Sequence, residues 1–157
     1  MQASRPLDEV TEAVLSASRV LVAVAARSLA DVADHVTLPQ YRTLVLLCAR
    51  GPLGMSELAE HLGCAASTAT RLCDRLVARK LVTRRHRAAN RREVEVEATA
   101  AGGRLVAAVT DRRRAEINRI LEAMPVRHRS AMVQALRAFA AAAGEAPDQA
   151  WATGWSL

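Results

Sequence analysis

Aromatic side chains are nearly missing from this sequence: 157 residues hold two Trp, one Tyr and one Phe, or 3% of the chain. Sandwiches and barrels draw on many aromatic and β-branched strands, so the shortage favours packed helices rich in Ala, Leu, Val and Arg. Cysteine is scarce and odd in number, with three residues at Cys48, Cys64 and Cys73. An odd set in a chain without an export signal argues against a disulfide framework and for reduced thiols. Residues Met1 to Val10 include Pro6, Asp8 and Glu9 and show no basic stretch leading into an apolar run and cleavage site. This predicts a cytoplasmic protein. The longest apolar run near the front, Val20 to Ala26, is bracketed by Arg19 and Arg27. It falls far short of the roughly 20 residues that cross a bilayer, so no membrane partner is expected. Catalytic patterns are missing too. His35, His61, His86 and His128 fall on different predicted elements, and Gly102-Gly103 follows no nucleotide-binding strand. The chain is expected not to be an enzyme.

What is present is a chain with 51% hydrophobic residues, enough for one cored domain or a compact head with a helical arm. A long helix is predicted from Leu7 to about Asp34, with Val10, Val14, Ala17, Leu21, Val24, Ser28 and Val32 on one broad apolar stripe. Such a stripe exceeds what a small head covers, which implies packing on distal helices and on a second subunit. Pro39 starts the next helix, with Tyr41, Leu44, Val45, Leu47 and Cys48 inside, and Gly51-Pro52 stops it. Tyr41 reads as a core residue. Thr99 caps a later helix running to about Met124, and Pro125 opens a last one carrying Val126, Met132, Val133, Leu136 and Phe139. Residues 144–157 form a tail with Trp151 and Trp155.

Between these lies the most informative stretch. Met55, Leu58, Ala59 and Leu62 recur at helical spacing, with Ser56 as an expected cap and Gly63 as a sharp turn. From about Ser67 to Lys80 a second helix places Ala69, Leu72, Cys73, Leu76 and Val77 on one face. Ser67, Thr68, Thr70, Arg71, Asp74 and Arg75 share the other. Leu81 to Arg85 and Glu93 to Glu97 read as short strands joined by a loop from Arg87 to Arg92. Helix, turn, helix and basic hairpin together predict a winged helix-turn-helix head over residues 39–97, in a mainly α fold with a small β-wing. Residues 7–35 and 99–143 form the helical dimerisation arm.

Charge sharpens this. The whole chain carries 22 Lys and Arg against 16 Asp and Glu, a net of +6. The window Ala66 to Arg92 alone holds nine basic residues against Asp74, a net of +8, so the remainder is −2. A basic block confined to one helix and its neighbouring hairpin is the footprint of a phosphate-binding surface, since a merely soluble domain mixes both signs.

With LPQYRTLVLL, SELAEHLG, STATRLCDRLVARKLVTR and a basic wing ending in Asn90-Arg91-Arg92, the chain resembles the MarR family of transcription regulators over roughly Leu7 to Ala143. The resemblance implies an obligate homodimer with interlocked first, fifth and sixth helices. It also implies double-stranded DNA as partner, with Ser67, Thr68, Thr70, Arg71 and Arg75 on the base-reading helix and Arg91 and Arg92 at the minor-groove wing tip. Arg87 belongs to the same basic wing. Two departures stand out: Asn90 replaces a usual Asp, and Ala65 holds a position where a capping side chain is common, so that Ser67 is left as the cap.

From the resemblance follow a repressor on an inverted-repeat operator and a small aromatic or phenolic effector bound between arm and head. Tyr41, Phe139 and the two tail tryptophans are the available stacking partners. The alternative is a thiol- or metal-responsive regulator of the same fold. His61 and Cys64, with Cys73, give only a weak metal-ligand spacing, and no metal site is assigned. The family's peroxide sensors place their cysteine on the first helix, which has none here. Burial as apolar filler is the expected role of all three cysteines, with reactivity at Cys64 the open alternative.

Overall fold

The computed structural model describes the backbone of residues 4–31, 36–87 and 90–144, and the side chains of 7–31, 36–86 and 94–144. Helix α1 (Ser4–Ala30) runs to α2 (Leu38–Arg50), and the short strand β1 (Leu53–Gly54) leads into α3 (Met55–Leu62) and α4 (Ala66–Ala78). Strands β2 (Val82–Arg87) and β3 (Asn90–Ala98) follow, then α5 (Ala100–Glu122) and α6 (Val126–Ala142). The sheet is antiparallel in the order β1-β3-β2. Val32, Asp34, His35, Trp151 and Trp155 lie outside the described residues.

Each helix has a local cause. Helix α2 starts where Gln40 Oε1 accepts from Thr37 N at 2.9 Å, with Pro39 in its first turn, and it ends at Gly51 with φ +80°. The buried Thr43 hydroxyl donates to Pro39 O at 2.9 Å, which satisfies a polar group that burial would otherwise penalise. Helix α3 closes at Gly63, φ +64°, where Gly63 N donates to Glu60 O and Cys64 N to Ala59 O. Ser56 is not its cap: Gly54 holds that position, and Ser56 sits exposed inside the first turn. A two-residue strand ahead of the helix sets the chain direction there, overriding the local capping preference.

The head is cored by Leu44 and Leu47 of α2, Leu58 of α3, Cys73 and Leu76 of α4, Val82 and Val96 of the sheet, and Val106 and Val109 of α5. Burying each Leu contributes about 1.5–3 kcal/mol before conformational entropy is subtracted. The first turn of α5 is laced to the end of α4. Thr99 Oγ1 donates to Lys80 O at 2.8 Å and accepts from Gly102 N at 3.1 Å, while Thr99 N donates to Leu81 O at 3.0 Å. Gly102 lies so close to the Leu81 carbonyl that a Cβ would overlap its oxygen and stand 3.1 Å from Leu44 Cδ2. Gly102, a residue of poor helix propensity, is a close-packing point.

The arm behaves differently. Helix α1 lies against α5 only near its C-terminal end, through buried Val24, Ser28 and Leu29 and the Arg27–Glu116 ion pair. Arg112 Nε adds a second link, 3.2 Å from Asp31 Oδ2. Toward its start, Val10, Val14 and Leu21 are exposed. Within the 24 residues Leu7–Ala30, a window of 18 reaches a mean hydropathy of 1.5, long and apolar enough by length and composition to cross a bilayer. The short Val20–Ala26 run does not reveal this. Helix α6 buries no side chain at all, and Val126, Val133, Leu136 and Phe139 are exposed.

Candidate nucleic-acid interface

Helix α4 is amphipathic in the way its spacing implies. Ala69, Cys73 and Leu76 are fully buried, while Ser67, Thr70, Arg71 and Arg75 are exposed. Thr68 is half-buried, at the edge between the two faces. Arg71 Nη2 donates to Thr68 Oγ1 at 3.4 Å, a long contact that leaves most of the guanidinium free, and Thr70 Oγ1 donates back to Ala66 O at 2.9 Å. The helix begins one residue earlier than Ser67, with Ala65 as its first flanking residue and no side-chain cap. Ser67 therefore lies within the helix. The open first-turn amides point the positive end of the helix dipole outward, an arrangement suited to a phosphate.

The ion pairs divide the basic window into two sets. Asp74 pairs with Arg84 on β2, not with its neighbour Arg75, and Arg85 Nε lies 2.9 Å from Glu97 Oε2 across the β2–β3 ladder. Asp74, Arg84 and Arg85 are substantially solvated while Glu97 is mostly covered; the exposed Arg84–Asp74 pair is worth at most about 1 kcal/mol, and its main effect is to orient the wing stem against α4. Arg71 and Arg75 keep their charge for an outside partner.

The wing is a longer ladder than the sequence suggests. Residues Arg87 and Asn90 face each other as strand partners, with a register irregularity at His86/Arg87, so the connection is much shorter than an Arg87–Arg92 loop. Arginine-rich segments lack the alternation that marks strands, yet backbone pairing extends through them because solvated side chains cost the ladder little. The side chains of Arg87, Asn90, Arg91 and Arg92 lie outside the described residues. Their backbones put all four at the distal end of the hairpin.

Behind the recognition helix is a cavity of about 610 Å³, bordered by Tyr41 and Arg42 of α2, Cys64 of the α3–α4 turn, Thr68 and Leu72 of α4, and Arg113 of α5. The Arg113 guanidinium carbon lies 5.6 Å from the Tyr41 ring centroid, and its Nε is buried without a hydrogen-bond partner. Arg113 carries no signal in the sequence, since it stands in a run of three arginines on a long helix. Tyr41 belongs to the core, as its spacing implies, and also walls this cavity. Burial pushes the thiols of Cys48 and Cys73 from an ordinary 9.0 up to about 11. Cys64 differs from the filler expected of it in bordering the cavity. Among the described residues no three His, Cys, Asp or Glu side chains come together as a metal-holding group.

A recognition helix with an exposed arginine and hydroxyl face, joined directly to a three-stranded wing, defines a winged helix-turn-helix protein. The model of the MarR family matches residues 36–94. The chain is 43% identical to RV1404 from Mycobacterium tuberculosis over 90% of this chain and 96% of that one, with a TM-score of 0.84. A MarR family protein from Bacillus stearothermophilus shares the fold at a TM-score of 0.81 and 22% identity, covering 92% of this chain and 100% of that one. The HTH-type transcriptional regulator YfiV of Bacillus subtilis is 30% identical over 101 residues, 64% of this chain and 63% of YfiV, a little under two thirds of that relative. The chain belongs to the MarR family, whose members are transcription regulators and not enzymes.

Proposed function

We propose that this protein is a homodimeric, ligand-responsive repressor that binds an inverted-repeat operator in the cytoplasm. The observation that carries the reading is the exposed Arg71–Arg75 face of α4 beside a wing stem whose own arginines are tied down by Asp74 and Glu97. In this reading Arg71 and Arg75 reach base edges in the major groove, Ser67, Thr68 and Thr70 contact phosphates or base edges, and Arg87, Arg91 and Arg92 serve the minor groove and its flanking phosphates.

Dimerisation is supported by the apolar surface that one chain leaves uncovered. Leu7 is 68% exposed, Val126 73% and Phe139 56%. Exposed apolar patches of this kind mark an interface. A membrane is the other solvent that would accept α1, but that helix carries Asp8, Glu9, Glu12, Arg19 and Arg27 along its length and closes against α5 by an ion pair. Two recognition helices in a dimer meet half-sites roughly 34 Å apart.

Effector control is supported by the position of the cavity. Its walls come from α5 of the arm and from the recognition helix itself, so a ligand held there has a direct hold on the spacing of the heads. Arg42, Arg113 and Tyr41 suit a small anionic aromatic or phenolic compound, and a bound anion would satisfy the orphaned Arg113 Nε. Selection of bound duplexes from a random pool, with sedimentation of the free protein and of the complex, tests the reading. A two-fold-symmetric site occupied by one dimer is expected. A strictly monomeric chain with no affinity for any duplex at low salt would overturn it.

A further inference from the structure

Alternation along the β2–β3 ladder sorts the wing stem into two unlike faces. Val82, Arg84 and His86 stand opposite Ala98, Val96 and Val94 on one face, whereas Thr83 and Arg85 stand opposite Glu97 and Glu95 on the other. The carboxylates of the stem therefore share a face with Arg85, not with His86. On the first face Val82 and Val96 are buried in the head, Arg84 is tied to Asp74 of α4, and His86 is exposed beside the exposed Val94. His86 lies two residues beyond Arg84, or about 7 Å further out along the strand. The regular ladder ends at the His86–Val94 pair, because the next step joins Arg87 to Asn90 and passes over residues 91–93. Irregularities of this kind re-aim neighbouring side chains and gather at functional sites. The imidazole meets no hydrogen-bonding or ion-pairing partner among the described residues. The charged residues that α4 brings to this side are Arg71, Asp74 and Arg75, and its one acid is already paired with Arg84; Arg87, Arg91, Arg92 and Glu93 follow toward the tip.

We propose that His86 is a further DNA contact, seated on the phosphate ridge between two grooves, and that its imidazolium couples duplex binding to the uptake of a proton. The inference rests on the DNA-binding reading above and adds to it a residue and a linked proton. With α4 in a major groove and the wing tip in the neighbouring minor groove, the backbone strand that separates the grooves has to pass between helix and wing. The face that holds Arg84 and His86 is the one that closes against α4, so this strand runs past His86. A phosphate oxygen beside the ring accepts its N–H and favours the charged form. Histidine is the side chain whose charge changes between pH 5 and 8. The complex therefore holds more protons than its separate parts across that range, and affinity rises as pH falls. Arg85, with Glu95 and Glu97 around it, is placed to hold the outer face of the wing together while the inner face meets the duplex.

The test measures the affinity of the full chain for a selected duplex, at fixed ionic strength, from about pH 8 down to about pH 5.5, the range in which an imidazole changes charge. Binding should tighten by about tenfold per head, the size of one charge-assisted hydrogen bond, and the salt slope should steepen by up to about 0.9 per head at the acid end. His86→Gln should keep the alkaline affinity at every pH, and His86→Arg should keep the acid affinity at every pH. His61→Gln on α3 and His128→Gln on α6 should leave the parent profile in place. The exposure of His86 lets both of its variants fold, which their thermal midpoints check. An affinity of the parent that ignores pH, a profile that survives in His86→Gln, or a His86→Arg variant that still gains affinity on acidification would each overturn the proposal. The two readings fail in different ways: a chain that binds no duplex at any pH rejects the regulator itself, whereas pH-independent binding rejects the role of His86 alone.

Discussion

Replacing Gly102 by Ala sets two physical effects of opposite sign against each other. Inside an exposed helix, Gly→Ala gains about 1 kcal/mol because Ala restricts the unfolded chain and shields the backbone. Here the new Cβ would overlap the Leu81 carbonyl oxygen and stand 3.1 Å from Leu44 Cδ2 and 3.3 Å from the Leu81 carbonyl carbon. The Leu44 side chain can yield a few tenths of an ångström. The carbonyl cannot turn aside cheaply, because Leu81 O also accepts the Thr99 amide at 3.0 Å, and Leu81 N donates to Leu76 O at 3.0 Å. Relief therefore requires the start of α5 to move off the α4–β2 corner, straining the Thr99 cap on Lys80 and Gly102. Overpacking of this kind costs about 1–3 kcal/mol, and more where the obstacle is backbone. The expected net effect is a loss of about 1–2 kcal/mol after the propensity gain, or roughly 2–8 °C in midpoint for a chain of this size. Chemical denaturation at fixed protein concentration measures it, with Gly54→Ala as the control, since nothing lies within 4 Å of a Cβ there. That control should cost no more than about 1 kcal/mol, the loss expected on replacing Gly by Ala at the position that caps α3. If Gly102→Ala raises stability toward the propensity value, the close packing of arm on head is wrong.

Arg91→Ala with Arg92→Ala should flatten the salt dependence of DNA binding, each lost phosphate contact lowering the slope by about 0.9, and unchanged slopes would remove the wing from the interface. Arg71→Ala should relax base preference at one position of each half-site by about 1–3 kcal/mol, whereas equal weakening on every sequence would make Arg71 a backbone contact. Asp74→Asn releases Arg84 and deletes the single acid of the basic window. Stability should change by less than about 1 kcal/mol and the salt slope should steepen by up to about 0.9; a drop in affinity instead would show that the pair positions the wing. Alkaline pH should destabilise the fold. Between 9.0 and about 11 the unfolded Cys48 and Cys73 lose protons that the folded ones keep, so stability is full below pH 9 and falls as pH rises through that window. Cys48→Ala with Cys73→Ala should flatten the alkaline limb of a denaturation-midpoint curve, and an unaltered limb would refute the assignment.

The sequence exposes what depends on periodicity and hides what depends on long-range approach. The two faces of α4 are legible because 3.6-residue spacing sorts Ala69, Cys73 and Leu76 from Arg71 and Arg75 without knowledge of any neighbour. Thr99 is legible as a cap for the same local reason. Strand β1 is not, since two residues carry no pattern and Leu53 and Gly54 become a strand only by meeting Val96 and Glu95. Gln40 as a reciprocal cap was available in sequence, three residues after Thr37, but Pro39 is the stronger start signal and draws the eye past it. The partner of Asp74 could not be read at all. Helical spacing offers Arg71, three residues earlier, and only the return of β2 past α4 brings Arg84 into reach.

The same limit governs the cavity, and it bears on how the molecule can work. Arg113 lies 41 residues beyond Leu72 in the chain, yet both face one space. The recognition helix thus has three attachments with different stiffness. Its buried face, through Cys73 and Leu76, is fixed in the head core, and its C-terminal end is held to α5 by the Thr99 bonds and the Gly102 contact. Its N-terminal half, through Thr68 and Leu72, borders empty volume. A group entering that volume meets least resistance at the end of the helix that carries Ser67, Thr70 and Arg71. In the proposed DNA-binding reading, the residues nearest the helix start are therefore the first to lose register, while Arg75, one turn deeper and closer to the fixed end, is displaced least. An effector that acts this way reduces base discrimination before it reduces general phosphate affinity. Competition binding against matched and mismatched duplexes separates that order from a rigid-body swing of the whole head, which would weaken both together.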